Sequence, residues 1–429
     1  MNFQKIFRTL LTLAIAVAAM THPATAETIV LSASRLIDGL SDSVTDNPLI
    51  IIEAGRIVEV RKQNGFEPPA GATIIHLEGA TLMPGFLDAH VHLLSDHDTK
   101  GYRRLQVTET RSVINGVINA KKTLLAGFTT VRIVGSGGYG DVALRGAIID
   151  GDIPGPRILA AGPALGVSGG HCDNNLLTED YDFTGAAVAD GPWEVRKQVR
   201  RNIKFGVDLI KFCATGGVFS KGTTVGAQQY TQEEMNALVD EAHMRGKKVA
   251  AHAHGTEGIK AAIRAGVDSV EHASFLDSEA IRMAIENGTF LSMDIYNTEF
   301  TLATGETTGA LPESIEKERQ VGQIQRESFR RAVEAGAKVV FGSDAAIYPH
   351  GDNGKQFSRM VRFGMTPMQA IKAATSLNAE LFGLARVGAI EARRYADIVA
   401  VYGDPLDDIR RLENVIFVMK GGKVYKHEK

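Results

Sequence analysis

His90-Val91-His92 places two imidazoles two positions apart at the end of an apolar run, residues 87–91. Residues i and i+2 of a strand face the same way, so the pair can present two nitrogens to one cation. The spacing alone is a weak signal, because surface and core histidines reach it by chance. Position strengthens it. His252 and His272 end later apolar runs, Lys211 follows Val207-Asp208-Leu209-Ile210, and Asp344 follows residues 339–342. If these runs are parallel strands, all six residues lie at one C-terminal rim, where βα-loops build active sites.

Lys211 carries the most chemical information. A lysine buried after an apolar strand costs several kcal/mol unless its charge is removed or matched. Pairing with a local acid is one resolution, but strand alternation points Asp208 the other way. The other resolution is covalent. A neutral amine in an enclosed site can add CO2 to become a carbamate, an anion whose two oxygens can bridge two metal ions. Two divalent ions, with Zn2+ the expected metal, then account for the set. His90, His92, carboxylated Lys211 and Asp344 surround one ion; Lys211, His252 and His272 surround the other; a hydroxide is shared between them. Asp344 would also accept the hydroxide's proton and return it to a leaving nitrogen, as an amide demands.

The elements that position these groups repeat a phrase in which a helix pattern ends in glycine and an apolar strand follows. Ala126-Gly127-Phe128, Phe205-Gly206-Val207, Ala265-Gly266-Val267 and Ala335-Gly336-Ala337 each open such a strand. Runs at 87–91, 157–161, 248–251 and 289–293 bring the number to eight, separated by helical stretches such as 233–245, which Thr231 and Glu234 open as a capping box. Eight alternating units predict an α/β fold, a (β/α)8 TIM barrel over 85–384, with a doubly wound open sheet as the alternative. Residues 27–84 and 385–429 are rich in short β-branched runs. Neither group is long enough for a sheet of its own, so both are expected in one composite β-sandwich.

Composition excludes several functions. With 47 Lys+Arg against 50 Asp+Glu, the net charge of −3 offers no field to hold a nucleic-acid backbone. Residues 1–26 read as a signal peptide: Lys5 and Arg8 precede an apolar stretch too short to span a bilayer, and Ala24-Thr25-Ala26 offers a cleavage site. The mature chain is therefore expected to be secreted or periplasmic, with no membrane attachment. Cys172 and Cys213 cannot build a disulfide framework, and pairing needs a Cα separation of about 4.4–6.8 Å that sequence does not establish, so a disulfide is not expected.

Taken together, Pro84-Gly85-Phe86-Leu87-Asp88-Ala89-His90-Val91-His92, the Lys211 strand, Ala251-His252-Ala253-His254-Gly255, Val270-Glu271-His272-Ala273, Gly342-Ser343-Asp344, Ala396-Asp397-Ile398-Val399 and Gly403-Asp404-Pro405-Leu406 resemble the amidohydrolase superfamily. The nearest branch is the imidazolonepropionase-related group of secreted dipeptidases and carboxypeptidase-like enzymes, which includes Xaa-Pro dipeptidases and ochratoxin-hydrolysing amidases. The resemblance implies a metal-dependent barrel, a flanking β-sandwich and a higher homo-oligomer such as an octamer. It also implies small-molecule substrates, either dipeptides or N-acyl amino acids. His171 and Tyr230 resemble positions that hold a substrate carboxylate there, and His254 is a further substrate contact or support. Three long βα-loops, 164–192, 216–230 and the threonine-rich 297–312, are expected as irregular lids or binding walls. A mononuclear deaminase or cyclic-amide hydrolase is the alternative, which Lys211 disfavours, and a lactonase would make fewer demands on the same hydroxide.

Overall fold

The computed structural model describes residues 27–181 and 183–428, so the expected signal peptide lies outside the described residues. Five strands come first: β1 (Thr28–Ile37), β2 (Val44–Asp46), β3 (Pro48–Glu53), β4 (Arg56–Lys62) and β5 (Thr73–Pro84). Eight strands alternating with helices follow. They are β6 (Phe86–Val91), β7 (Phe128–Ile133), β8 (Arg157–Ala160), β9 (Leu209–Cys213), β10 (Lys248–Ala253), β11 (Ser269–His272), β12 (Phe290–Ser292) and β13 (Val339–Val340). The chain finishes with β14 (Ile398–Tyr402), β15 (Phe417–Lys420) and β16 (Lys423–His427).

Both ends of the described chain share one eight-stranded sheet, in the order β16-β15-β14-β5-β1-β3-β4, with β2 on β1. The joining pair is β14 with β5, antiparallel from Ile398 opposite Pro84 to Tyr402 opposite Ala80. Leu31, Ile50, Leu82, Ile398 and Phe417 fill one face of it. β5 runs through Gly79 to Pro84. Gly79 takes φ 71, and the register on β1 shifts there, so the glycine makes a bulge rather than a turn.

The middle strands form two all-parallel sheets, β6-β7-β8 and β13-β12-β11-β10-β9. Backbone hydrogen bonds cross both seams between them. On one side Asp344 N–H donates to the His90 carbonyl at 2.7 Å and His92 N–H to that of Ala345 at 3.0 Å. On the other, Leu165 N–H donates to the Lys211 carbonyl and Cys213 N–H to that of Leu165, both at 2.9 Å. Inside, Phe86, Phe128, Phe341 and Phe357 pack ring on ring, with Phe341 and Phe357 centroids 4.6 Å apart. The repeated glycine is a helix cap as expected: Gly266, at φ 93, ends helix Thr256–Ala265 and receives no penalty for a left-handed backbone.

Two expectations need correction. Residues 297–312 are not an irregular loop: Asn297–Thr308 is a helix, and Pro312 begins another, Pro312–Glu334. Threonine is a poor helix former in isolation, but here Thr304 and Thr308 return their hydroxyls to the carbonyls of Phe300 and Thr304, and Thr298 donates to Glu318. Tertiary packing overrides the propensity. The two cysteines do pair, with Cα atoms 6.0 Å apart, because the loop after β8 folds back over β9 and brings Cys172 beside Cys213. Among the described residues no helix is long and apolar enough to cross a membrane.

Candidate metal centre

His90 lies in β6 and His92 immediately after it, Lys211 in β9, His252 in β10, His272 at the end of β11, and Asp344 after β13. The fold gathers all six at one rim, and His254 joins them. His90, His272 and Asp344 offer ligand atoms within 4.8 Å of one another, and so do His252, His254 and His272. His272 is shared by the two groups. The Nε2 atoms of His90 and His92 stand 3.4 and 3.3 Å from the same Asp344 Oδ1.

Four of the five rings are oriented from behind. Nδ1 of His90 meets Glu271 Oε2 at 3.0 Å, that of His92 the Gly135 carbonyl at 3.1 Å, that of His254 Ser274 Oγ at 2.7 Å and that of His272 Asp294 Oδ1 at 2.8 Å. Holding Nδ1 in an outer hydrogen bond fixes the tautomer and leaves Nε2 as the ligand nitrogen. His252 Nε2 and Lys211 Nζ are buried and have no hydrogen-bond partner. Buried polar atoms are rarely left so. Unpartnered nitrogens beside further imidazoles and one carboxylate make a donor set suited to a divalent ion.

The supporting residues were less visible in the sequence. Glu271 accepts from Arg132 Nη2 at 2.6 Å and from Ser269 Oγ at 2.6 Å besides binding His90. Asn297 donates to Asp344 Oδ2 at 3.1 Å and also to Asp294, which Gln325 approaches at 3.1 Å. Asp88 accepts from the backbone of His90 and of Ser343, tying β6 to the Asp344 turn. Arg132 and Glu271 could have been found by the test that singled out Lys211, since both are ionisable residues inside apolar strands. Asp294 follows the seventh parallel strand, at a rim position. Asn297 carries no local signal.

Backbone strain coincides with two candidate ligands. His272 has φ 69, and Ala273 N–H donates across it to the Glu271 carbonyl at 2.9 Å, a strained three-residue turn. Asp344 has φ 52. Such conformations cost roughly 1–3 kcal/mol each and persist where the surroundings enforce them.

Burial favours the neutral imidazole at His90, His252 and His254. Burial pulls His90 down to about 4 and drives His252 and His254 well below their usual range. At His272 burial is outweighed by the Asp294 carboxylate, which raises it. Burial alone would raise Asp344, but His90, His92 and His272 together hold it below the ordinary carboxylate range. Burial lowers Lys211 to about 8, so its amine is much easier to deprotonate than a surface lysine.

Two of the three expected substrate contacts are at the cluster. His171 stacks on His252, with centroids 4.1 Å apart and planes 19° apart, and its Nδ1 meets Ser220 Oγ at 2.8 Å. Gly217 permits this approach, because a Cβ there would lie 2.4 Å from His171 Cε1 and 2.7 Å from His252 Nε2. His254 stacks on His272 at 4.8 Å. Tyr230 is not brought to the cluster. It is buried in the core against Phe212, and its hydroxyl donates to the Ala189 carbonyl at 3.1 Å.

The sequence model of the Amidohydrolase family matches residues 81–425. The chain belongs to the amidohydrolase family. Ochratoxinase of Aspergillus niger is 34% identical over 373 residues, covering 80% of this chain and 75% of its relative. A crystal structure of a Xaa-Pro dipeptidase with bound methionine is 38% identical at a TM-score of 0.89, covering 93% of this chain and all of that one. A prolidase structure complexed with N-methylphosphonate-L-proline is 31% identical at a TM-score of 0.86, covering 94% of this chain and all of that one. Family membership brings a TIM-barrel-type α/β fold, in keeping with the parallel strands and their helices. The family's hydrolases act on small-molecule amides or dipeptides and usually hold metal, and the histidine groups here could hold one.

Proposed function

We propose that this amidohydrolase is a binuclear metal-dependent amidase that releases a C-terminal amino acid from dipeptides or N-acyl amino acids, ochratoxin-type amides included. The observation that carries the reading is the convergence of ring nitrogens on Asp344 beside two buried unpartnered nitrogens, His252 Nε2 and Lys211 Nζ. Ochratoxinase and the prolidases support amide substrates.

In this reading Lys211 is carboxylated. The Nζ lone pair forms a bond to the carbon of CO2 and a proton leaves, so the buried amine becomes an anion with two ligand oxygens. His90, His92, Lys211 and Asp344 would hold one Zn2+, and Lys211, His252 and His272 the other. His254 lies close enough to His252 and His272 to serve as a further ligand to the second. Two bound cations supply Lewis acidity, polarising an amide carbonyl and making water more acidic. The chain's own residues manage the proton. Asp344, held ionised, accepts it from the attacking water at Oδ1 while Asn297 fixes Oδ2, then passes it to the leaving nitrogen. His171 faces the same space as a neutral hydrogen-bonding group.

The same reading closes the eight parallel strands into a barrel and sets the sheet of both chain ends beside it as a β-sandwich. The hydrogen bonds across both seams support the closure. Residues 1–26 support export to the periplasm or medium, where the Cys172–Cys213 disulfide can persist. The assembly we propose is a homo-oligomer, with an octamer the candidate size. The test is amino-acid release from a panel of dipeptides and N-acyl amino acids by the zinc-loaded mature protein. Release of a C-terminal residue is expected; a protein holding both ions that cleaves none of them would refute the reading.

A further inference from the structure

Cations without acidic partners surround the mouth of the site. Lys100, Arg103 and Arg104 follow β6, Lys221 follows β9, and Lys317 lies in helix Pro312–Glu334. Among the described residues none of the five pairs with a carboxylate. They end instead on the Ile347 and Thr307 carbonyls, the Asn174 side chain, the face of Tyr102 and the Ser220 carbonyl. Asp98 and Glu318 act on Lys100 and Glu313 on Lys317, so the rim carries both signs, and what it offers an anionic group is a cation not already held by a carboxylate.

Four of these cations are exposed or half-buried, but Lys100 is only 8% exposed. Its ammonium lies between the rings of Phe219 and Phe300, 5.6 and 5.2 Å from their centroids. It donates to the Ile347 carbonyl at 2.7 Å and to Thr308 Oγ1 at 3.3 Å, which uses two of its three protons. Ile347 N–H donates in turn to the Asp344 carbonyl at 3.1 Å, so the ammonium rests on the far end of the turn that carries Asp344.

The other groups near the centre are committed elsewhere. Arg132 is paired with Glu271, the Tyr230 hydroxyl with the Ala189 carbonyl, and His171 Nδ1 with Ser220 Oγ. A released amino acid carries a carboxylate, and a carboxylate entering a dry site needs a cation. We propose that Lys100 binds the free carboxylate of the substrate's C-terminal residue, with Phe219 and Phe300 excluding water around the pair. The assignment rests on the amidase reading, and it makes a free α-carboxylate a requirement for good substrates.

The test compares an N-acyl amino acid with its carboxamide, using the zinc-loaded protein and its Lys100→Met and Lys100→Arg variants. Wild type should prefer the acid by about 50-fold in kcat/KM, the Met variant should lose that preference mainly through KM, and the Arg variant should keep most of it. Product binding by calorimetry should weaken in the Met variant by a similar factor. A Met variant that slows both substrates alike, or retains the preference, would overturn the assignment and leave Lys100 as a strut for the Asp344 turn. Should wild type cleave neither compound, the amidase reading fails. Binding of the two compounds to wild type and the Met variant then decides Lys100 separately, and equal binding by both proteins overturns it.

Discussion

Replacing Lys211 with Met should have opposite effects on the metal-free and metal-loaded proteins. Lys211 is fully enclosed and has no hydrogen-bond partner, and burial lowers it from 10.5 to about 8. At about 1.4 kcal/mol per unit, that shift corresponds to roughly 3 kcal/mol against the charged amine in the folded state. Between pH 8 and 10.5 the unfolded chain binds more protons at this position than the folded one, so stability contributed here rises with pH across that window. Below pH 8 the full penalty is present. Methionine has a similar shape without the charge. Urea unfolding of the chelated, CO2-free variant at pH 7 should therefore show it about 3 kcal/mol more stable than wild type, an advantage that fades toward pH 10.5. With zinc and bicarbonate the order should reverse, because the variant has no bridging ligand and should hold one ion or none. A chelated variant no more stable than wild type, or one retaining two ions per chain, would refute the reasoning.

Other substitutions probe the remaining parts. Asp344→Asn should leave the fold largely intact and abolish amide cleavage, which circular dichroism and amino-acid release would check together. Gly217→Ala should crowd His171 and His252, since a Cβ falls 2.7 Å from His252 Nε2, and so lower bound zinc on elemental analysis with little change in secondary structure. Changing both Cys172 and Cys213 to Ser opens a loop spanning 41 residues of sequence separation, which by chain entropy should cost about 4 kcal/mol. Calorimetric melting should fall accordingly, whereas reductant should then have no further effect on the double variant.

The eight parallel strands were legible because burial on both faces leaves an uninterrupted apolar run, and a left-handed glycine marks the start of several. The six rim residues stood out as polar exceptions ending those runs. Long-range hydrogen bonding was not legible. Glu271 and Arg132 neutralise each other across two strands, and Asn297 reaches Asp344 from a helix whose threonines look unsuited to helix formation. The disulfide was hidden for the same reason, since Cys172 meets Cys213 only through the path of the loop after β8. Tyr230 illustrates the converse. The family resemblance suggested a substrate contact there, while packing turns its hydroxyl toward Ala189.

The central claim is that Lys211 carries CO2 between two cations. The most direct measurement is carbon-13 NMR of the zinc-loaded protein prepared with labelled bicarbonate. A single carbamate resonance in wild type, absent from Lys211→Met, is the predicted result. A fully active protein with no such resonance would contradict it.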